Sequence, residues 1–324
     1  MRPRVPAFRT PRCGRPGHCR CPGFTLIELL VTIGIIALLI SILVPSLSAA
    51  RQRGKAVRCL SNLRVLGQGI YIYLGENRDV LPAGRLPRID NCNTWSTIYG
   101  RVKYRPTFLA LMSGAVGVPP FIDPQACANR TDMFGEPGDR QNYSCEVYLC
   151  PSTLTWTDER NGSYGFNYQF LGNSRLLVET NPDSPYRNWP VKLNWVRFPG
   201  RTVAVADCMG TAASYAPPDR GEYVNNARES WRLGNEGFNL DPPRCDPVRG
   251  EMAGFPTHRS AVDPRHADKG NVLYVDGHAR AQSLAELGYR LDGNGVFRLD
   301  GDNTQWTASG VDVPWTPEYS PLMY

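Results

Sequence analysis

Residues 24–44 read FTLIELLVTIGIIALLISILV, 21 positions that carry a single charge, Glu28. As a helix rising ~1.5 Å per residue they extend ~31 Å, the thickness of a ~30 Å hydrocarbon core. No other stretch of the chain comes near this length without charges. The chain therefore has one membrane-competent segment, and everything after it lies on one side. Arg2, Arg4, Arg9, Arg12, Arg15 and Arg20 precede the run with no acid among them. Positive flanks stay cytoplasmic, so the expected topology is single-pass, with a cytoplasmic leader and an exported C-terminal part. Arg51, Arg53, Lys55 and Arg58 follow closely and soften that asymmetry.

Those six arginines also account for the whole net charge of +6. The rest of the chain balances, so a basic face built for phosphate backbones is not indicated and no nucleic-acid partner is expected. A composition of 42% hydrophobic and 10% aromatic residues requires a folded core. The 31 Gly and 28 Pro imply many turns and long loops and argue against a helical bundle.

Glu28 is the anomaly of the apolar run, because a carboxylate at that depth costs about 2.5–3.5 kcal/mol on insertion scales and calls for a partner. Cleavage between Gly23 and Phe24 would create an α-amino group at the same depth. A neighbouring subunit shifted along the helix axis would bring its Glu28 beside that amine, so the pairing would encode assembly.

Gly23-Phe24-Thr25-Leu26-Ile27-Glu28-Leu29-Leu30 resembles the processing site of type IV prepilins and type II secretion pseudopilins. The resemblance implies a prepilin peptidase that cuts after Gly23, methylates Phe24 and leaves the helix as an assembly stem. It implies subunit registration for Glu28 and a helix bend for Pro45, which in any case removes one N–H and crowds the preceding turn. Three other readings compete. A secretory signal peptide would use Ser48-Ala49-Ala50 as its cut site, but the core exceeds the usual ~7–15 residues and Glu28 would go unexplained. A plain uncleaved anchor is the second. A lipoprotein is disfavoured because Cys19 and Cys21 precede the apolar run. Cys13, His18, Cys19 and Cys21 lack zinc-ligand spacing.

Beyond the run, Ala49, Ala56, Leu60, Leu63, Leu66, Ile70 and Leu74 recur mostly at three- to four-residue steps, which predicts an amphipathic continuation of the helix. Gly67 and Gly69 are weak points at which it would end early. The organisation read from this is a leader (1–23), a stem helix (24–77, membrane part 24–44) and an exported globular domain (78–324). Strands are expected at 202–206, 271–275 and 279–282, with a weaker one at 296–299. Asp276-Gly277 reads as a two-residue hairpin turn. The expected fold is α+β, a long N-terminal helix on an antiparallel sheet with large loop insertions.

Seven cysteines follow the leader, Cys59, Cys92, Cys127, Cys145, Cys150, Cys208 and Cys245. Export favours at least two disulfides among them, and Cys145 and Cys150 are close enough for a local bridge. His266, nine residues and then Asp276-Gly277 resemble a C-terminal signature of a group of bacterial prepilin-like proteins. Cys59-Leu60-Ser61-Asn62-Leu63, Leu149-Cys150-Pro151-Ser152 and Ser163-Tyr164-Gly165-Phe166-Asn167 resemble its recurring elements. The role of His266, Asp276 and Gly277 stays open: a packed histidine and a turn, or a hydrolase pair. After the leader only His258, His266 and His278 remain, with no zinc-protease, nucleophile-elbow or nucleotide-binding pattern, so no catalysis, cofactor or resident metal is expected. Asp300, Asp302 and Asn303 offer a calcium loop as a minor option.

The reading is a structural subunit of a type IV pilus or pseudopilus. Its partners would be a prepilin peptidase, other pilin subunits and the bacterial inner membrane. The alternative is an anchored extracytoplasmic module that binds carbohydrate or protein through Trp189, Trp195 and Trp231.

Overall fold

The computed structural model describes residues 25–84, the backbone of 95–98 and 101–104, and most of 107–116, 146–153, 163–172, 191–220, 237–245 and 259–314. Gly23, Phe24, Cys92, Cys127, Cys145, His258, Trp189 and Trp231 lie outside the described residues. The chain divides into two compact units, Met1–Ala50 and Arg51–Tyr324. Helix α1 (Leu26–Glu76) is continuous through Pro45 and through Gly67 and Gly69. The chain stays helical past Pro45, and the early end expected at the glycines does not occur.

In the first unit every described residue is exposed, including Leu26 at 78% and Ile27 at 74%. Its hydroxyls are satisfied inside the helix: Thr32, Ser41 and Ser46 donate to the carbonyls of Leu29, Leu38 and Leu43 at 2.7–2.8 Å. Apart from Glu28, such a helix presents an uncharged and mostly apolar surface from Leu26 to Ala50, as a bilayer or a bundle of like helices demands. It is long and apolar enough to cross a membrane once.

In the second unit the helix buries Cys59, Asn62, Leu63, Leu66, Gly67, Gly69, Ile70 and Leu74. Arg51, Arg53, Lys55, Arg58 and Arg64 stay exposed, as an amphipathic stripe requires. Ala49, expected in that stripe, is exposed; the buried face begins at Cys59, with Ala56 half-buried. The stripe covers one face of a four-stranded antiparallel sheet in the order β3-β4-β5-β6. The strands are β3 (Tyr164–Phe166), β4 (Val203–Asp207), β5 (Gly270–Tyr274) and β6 (Ala279–Gln282). A separate hairpin pairs β1 (Trp95–Ile98) with β2 (Arg101–Tyr104). Two short helices, α2 (Phe108–Met112) and α3 (Tyr168–Leu171), complete the described elements with several single 3-10 turns.

The central strands β4 and β5 are buried along their whole length because both faces of the sheet are covered. Leu273 and Val205 meet the stem side with Leu63, Leu66 and Ile70. Val272, Tyr274 and Val203 meet a second core built on Trp306, Tyr289, Phe297 and Leu287. A bulge between Val203 and Val205 lets β4 serve both. Fully burying each such aliphatic side chain is worth about 1.5–3 kcal/mol. The sheet and the helix thus establish the α+β class.

Two expectations need correction. The turn after β5 is a three-residue loop, Val275-Asp276-Gly277: the Gly277 amide donates to the Tyr274 carbonyl at 2.9 Å and Tyr274 pairs with His278. Gly277 supplies the positive φ, +90°, at the end of that loop, the place where a bulged hairpin needs it. Residues 296–299 form no strand; Phe297 makes an isolated bridge to Leu291 in a small loop closed by Asp292, whose carboxylate accepts the amides of Asn294 and Val296. Strand β3 was not expected. Its middle residue is Gly165, where a Cβ would stand 2.8 Å from the carbonyl oxygen of Asn239, so the glycine is there for close backbone approach.

Candidate functional site

Among the described residues two sites carry chemistry, one at the start of α1 and one under its second half at Cys59. At the N-terminus, Thr25 and Glu28 form a reciprocal cap. The Thr25 amide and hydroxyl both donate to Glu28 Oε2 at 2.8 Å, and the Glu28 amide donates to Thr25 Oγ1 at 3.2 Å. This is a capping box, written in the sequence as Thr-x-x-Glu. Within a single chain the carboxylate is thus held at the helix start by the Thr25 amide and hydroxyl. Gly23 and Phe24 themselves lie outside the described residues.

The second site is buried under the stem. Cys59 comes from the helix, Cys150 from the loop after a short 3-10 turn, Asp207 from the last position of β4, and His266 from the loop before β5. Cys59 and Asp207 are wholly buried, Cys150 is 1% exposed and His266 8%. One ligand-type atom from each lies within 4.8 Å of all the others. Cys59 Sγ donates to Asp207 Oδ1 at 3.3 Å. His266 Nε2 stands 3.2 Å from Cys150 Sγ and 3.3 Å from Asp207 Oδ2. Around them, Tyr164 donates its hydroxyl to Cys59 Sγ at 3.4 Å, and the Asn271 amide donates to Asp207 Oδ2 at 2.9 Å. Arg265 sits next in the chain, paired with Asp263 at 2.9 Å and bonded to the Cys208 carbonyl.

The electrostatics are those of a dense, buried cluster. Burial pushes the Cys59 thiol up, reinforced by the neighbouring Cys150 and Asp207. The Cys59 hydrogen bond draws the Cys150 thiol down against the effect of its burial, with His266 helping. Burial opposes a charge on His266, but hydrogen bonds to Asp207 and Cys150 outweigh it and raise the imidazole to about 9. The thiol and the carboxylate both converge on Nε2, the same ring nitrogen. A nucleophile relay uses the two nitrogens for two different partners, so the arrangement is convergent, not relay-like. Its donors are two sulfurs, one nitrogen and one oxygen, a set that binds borderline-soft metal ions.

The sequence placed His266, Cys59 and Cys150 in recurring elements but did not bring them together, and it missed Asp207. The available signal was a charged residue closing the apolar run Thr-Val-Ala-Val-Ala-Asp. His266 and Asp276 do not meet, since they flank opposite ends of β5. Asp276 instead accepts the His278 amide and meets His278 Nδ1 at 2.6 Å at the surface. Cys59, Cys150, Cys208 and Cys245 form no disulfide. That corrects the expected disulfides: no Cys145–Cys150 bridge forms, and too few body cysteines remain for two. The calcium residues are engaged elsewhere. Arg298 forks onto both oxygens of Asp300 at 2.8–2.9 Å, Asp302 Oδ1 accepts the Thr304 amide, and Asn303 Oδ1 accepts the Arg244 amide. Trp195 is half-buried against the core.

No curated protein and no solved structure matches the chain. Residues 19–44 match the model of the prokaryotic N-terminal methylation motif. The match covers 26 of the 324 residues and overlaps the apolar start of α1, and together they support a type IV prepilin-like protein, similar at its N-terminus to pilin and pseudopilin subunits.

Proposed function

We propose that this protein is a structural subunit, cut after Gly23 by a prepilin peptidase, methylated at Phe24, and assembled through its N-terminal helix into a type IV pilus or a type II secretion pseudopilus. The observation that supports this most is the coincidence of the methylation motif at 19–44 with a helix whose described residues are exposed from its first turn to Val44 and uncharged except for Glu28. In the inner membrane lipid covers that surface; in a filament neighbouring helices replace it. Glu28 then exchanges its own Thr25 cap for the Phe24 amine of another subunit, a charge pair at equal depth. The globular part is exported, and its work is to pack and present, with no reaction assigned to it.

Mass spectrometry of the N-terminal peptide from native cells tests the reading. A chain beginning with N-methylated Phe24 is expected. A chain beginning at Arg51 would make it a secreted protein, and an intact leader would leave a tethered domain.

A further inference from the structure

We propose that Cys59, Cys150, Asp207 and His266 bind one zinc-class divalent cation that fastens the stem helix to the sheet. The donor set carries the identification. Zinc takes thiolate, imidazole and carboxylate ligands at about 2.3 Å for sulfur and about 2.0–2.2 Å for nitrogen and oxygen. A tetrahedron with those bonds sets ligand atoms roughly 3.4–3.8 Å apart. Here Cys150 Sγ and Asp207 Oδ2 stand 3.2 and 3.3 Å from His266 Nε2, Cys59 Sγ stands 3.3 Å from the other Asp207 oxygen, and one ligand atom from each residue lies within 4.8 Å of all the others. Contraction of the widest pairs by about 1 Å brings the four to a ligand shell.

Without a cation the cluster is poorly matched as a hydrogen-bond network. His266 Nε2 carries at most one proton and faces both Cys150 Sγ and Asp207 Oδ2. A cation takes a lone pair from every member. Two thiolates and one carboxylate bring three negative charges and the cation returns two. The half-buried Arg265 guanidinium, shared with Asp263 at 2.9 Å, sets a positive field that reaches Asp207, Cys150 and Cys59 and eases the remaining charge. The outer shell is also in place: Tyr164 on one sulfur and the Asn271 amide on the carboxylate, the type of partner that orients metal ligands. Four protein ligands and near-complete burial describe a closed, structural site, because catalytic zinc keeps a position for water. Calcium and magnesium are disfavoured by the two sulfurs.

The chemistry also gives the site a task. Cys59 is the ligand from the stem, and the other three come from the globular part, so the bond to Cys59 holds the two together where Asn271 also reaches the Ala56 carbonyl at 3.1 Å. The inference is independent of processing at Gly23, and failure of the methylation reading leaves it intact.

The test uses the full-length chain purified in detergent without chelators. Elemental analysis should find one zinc per chain. Replacement by Co²⁺ should give the visible bands of a tetrahedral site together with an intense sulfur-to-cobalt charge-transfer band. Removing the metal should lower the melting temperature, and Zn²⁺ should restore it. In His266→Gln and Cys150→Ser the affinity loss should exceed the ~10–100-fold that follows loss of an outer-shell partner. Tyr164→Phe, which keeps all four ligands, should fold and bind zinc about tenfold more weakly. A native, metal-free wild-type chain that takes up neither Zn²⁺ nor Co²⁺ would overturn the proposal. So would a Co²⁺ complex without the sulfur band, or a Cys59–Cys150 disulfide in protein isolated under non-reducing conditions.

Discussion

A Cβ on Gly67 would stand 3.3 Å from the Cα of Gly277 and 3.2 Å from its carbonyl oxygen. The stem helix and the hairpin turn after β5 thus touch backbone to backbone, with Tyr71 closing the far side at 3.3 Å from where a Cβ of Gly277 would be. Gly67 looks like a defect in a helix and is the point at which the helix docks.

That contact predicts an asymmetry between glycines of one helix. Gly67→Leu should destabilise the chain by about 1–3 kcal/mol through overpacking. Gly54 has nothing within 4 Å of a Cβ, so Gly54→Ala should stabilise it by about 0.5–1 kcal/mol through helix propensity. Thermal unfolding of both variants in the same detergent checks the pair. Equal effects would remove the docking role.

The Thr25–Glu28 cap separates two roles of one carboxylate. A glutamine at the third helical position still serves a capping box but carries no charge. Glu28→Gln should therefore keep membrane insertion and helix content and yet abolish incorporation into filaments, as Glu28→Ala should. Normal incorporation of the Gln variant, measured by shearing and blotting, would reduce Glu28 to a cap.

Arg259 is 2% exposed and donates to four carbonyls, those of Pro242, Pro243, Phe297 and Arg298, at 2.5–3.5 Å. Its guanidinium also lies 5.9 Å from the ring centres of Tyr289 and Phe297. Arg259→Met leaves these acceptors without their donor, at about 1–3 kcal/mol for each group left unsatisfied. It should cost about 3 kcal/mol or more, and Arg259→Lys most of that, since an ammonium lacks the planar fork. Urea unfolding of the two variants measures it.

Asp300 offers a pH test. Hydrogen bonds from Arg298 hold its carboxyl down at about 2, against an ordinary value of 3.8. A depressed acid stabilises the fold above its unfolded value and loses that contribution as the pH falls through the folded one. The difference in melting temperature between wild type and Asp300→Asn should hold above about pH 5 and shrink toward pH 2. The pair is exposed, so the difference should be small and should fade in high salt.

The stem was legible because its signal is local: an unbroken apolar run, then a stripe in which Leu63, Leu66, Ile70 and Leu74 share one face. Strands β4, β5 and β6 were legible for the same reason. Strand β3 was not, being three residues around a glycine that only the Asn239 backbone explains. The buried cluster was invisible as a unit because 148 residues separate Cys59 from Asp207 and 116 separate Cys150 from His266. No short spacing marks ligands that four different elements deliver. The cysteines were misjudged since export argues for disulfides in general, whereas the side chains beside each thiol decide its state.

The Asn271 side chain that reaches Ala56 lies 215 residues further along the chain. Synthesis at ~5–20 residues per second puts roughly 10–40 s between the emergence of the two. Throughout that interval the nascent stem has its Leu63–Leu74 stripe made and its landing surface unmade. Contacts this distant in sequence form slowly and leave apolar surface open to aggregation. The waiting stripe therefore needs shielding, by a chaperone or by the translocation channel, until the last hairpin arrives.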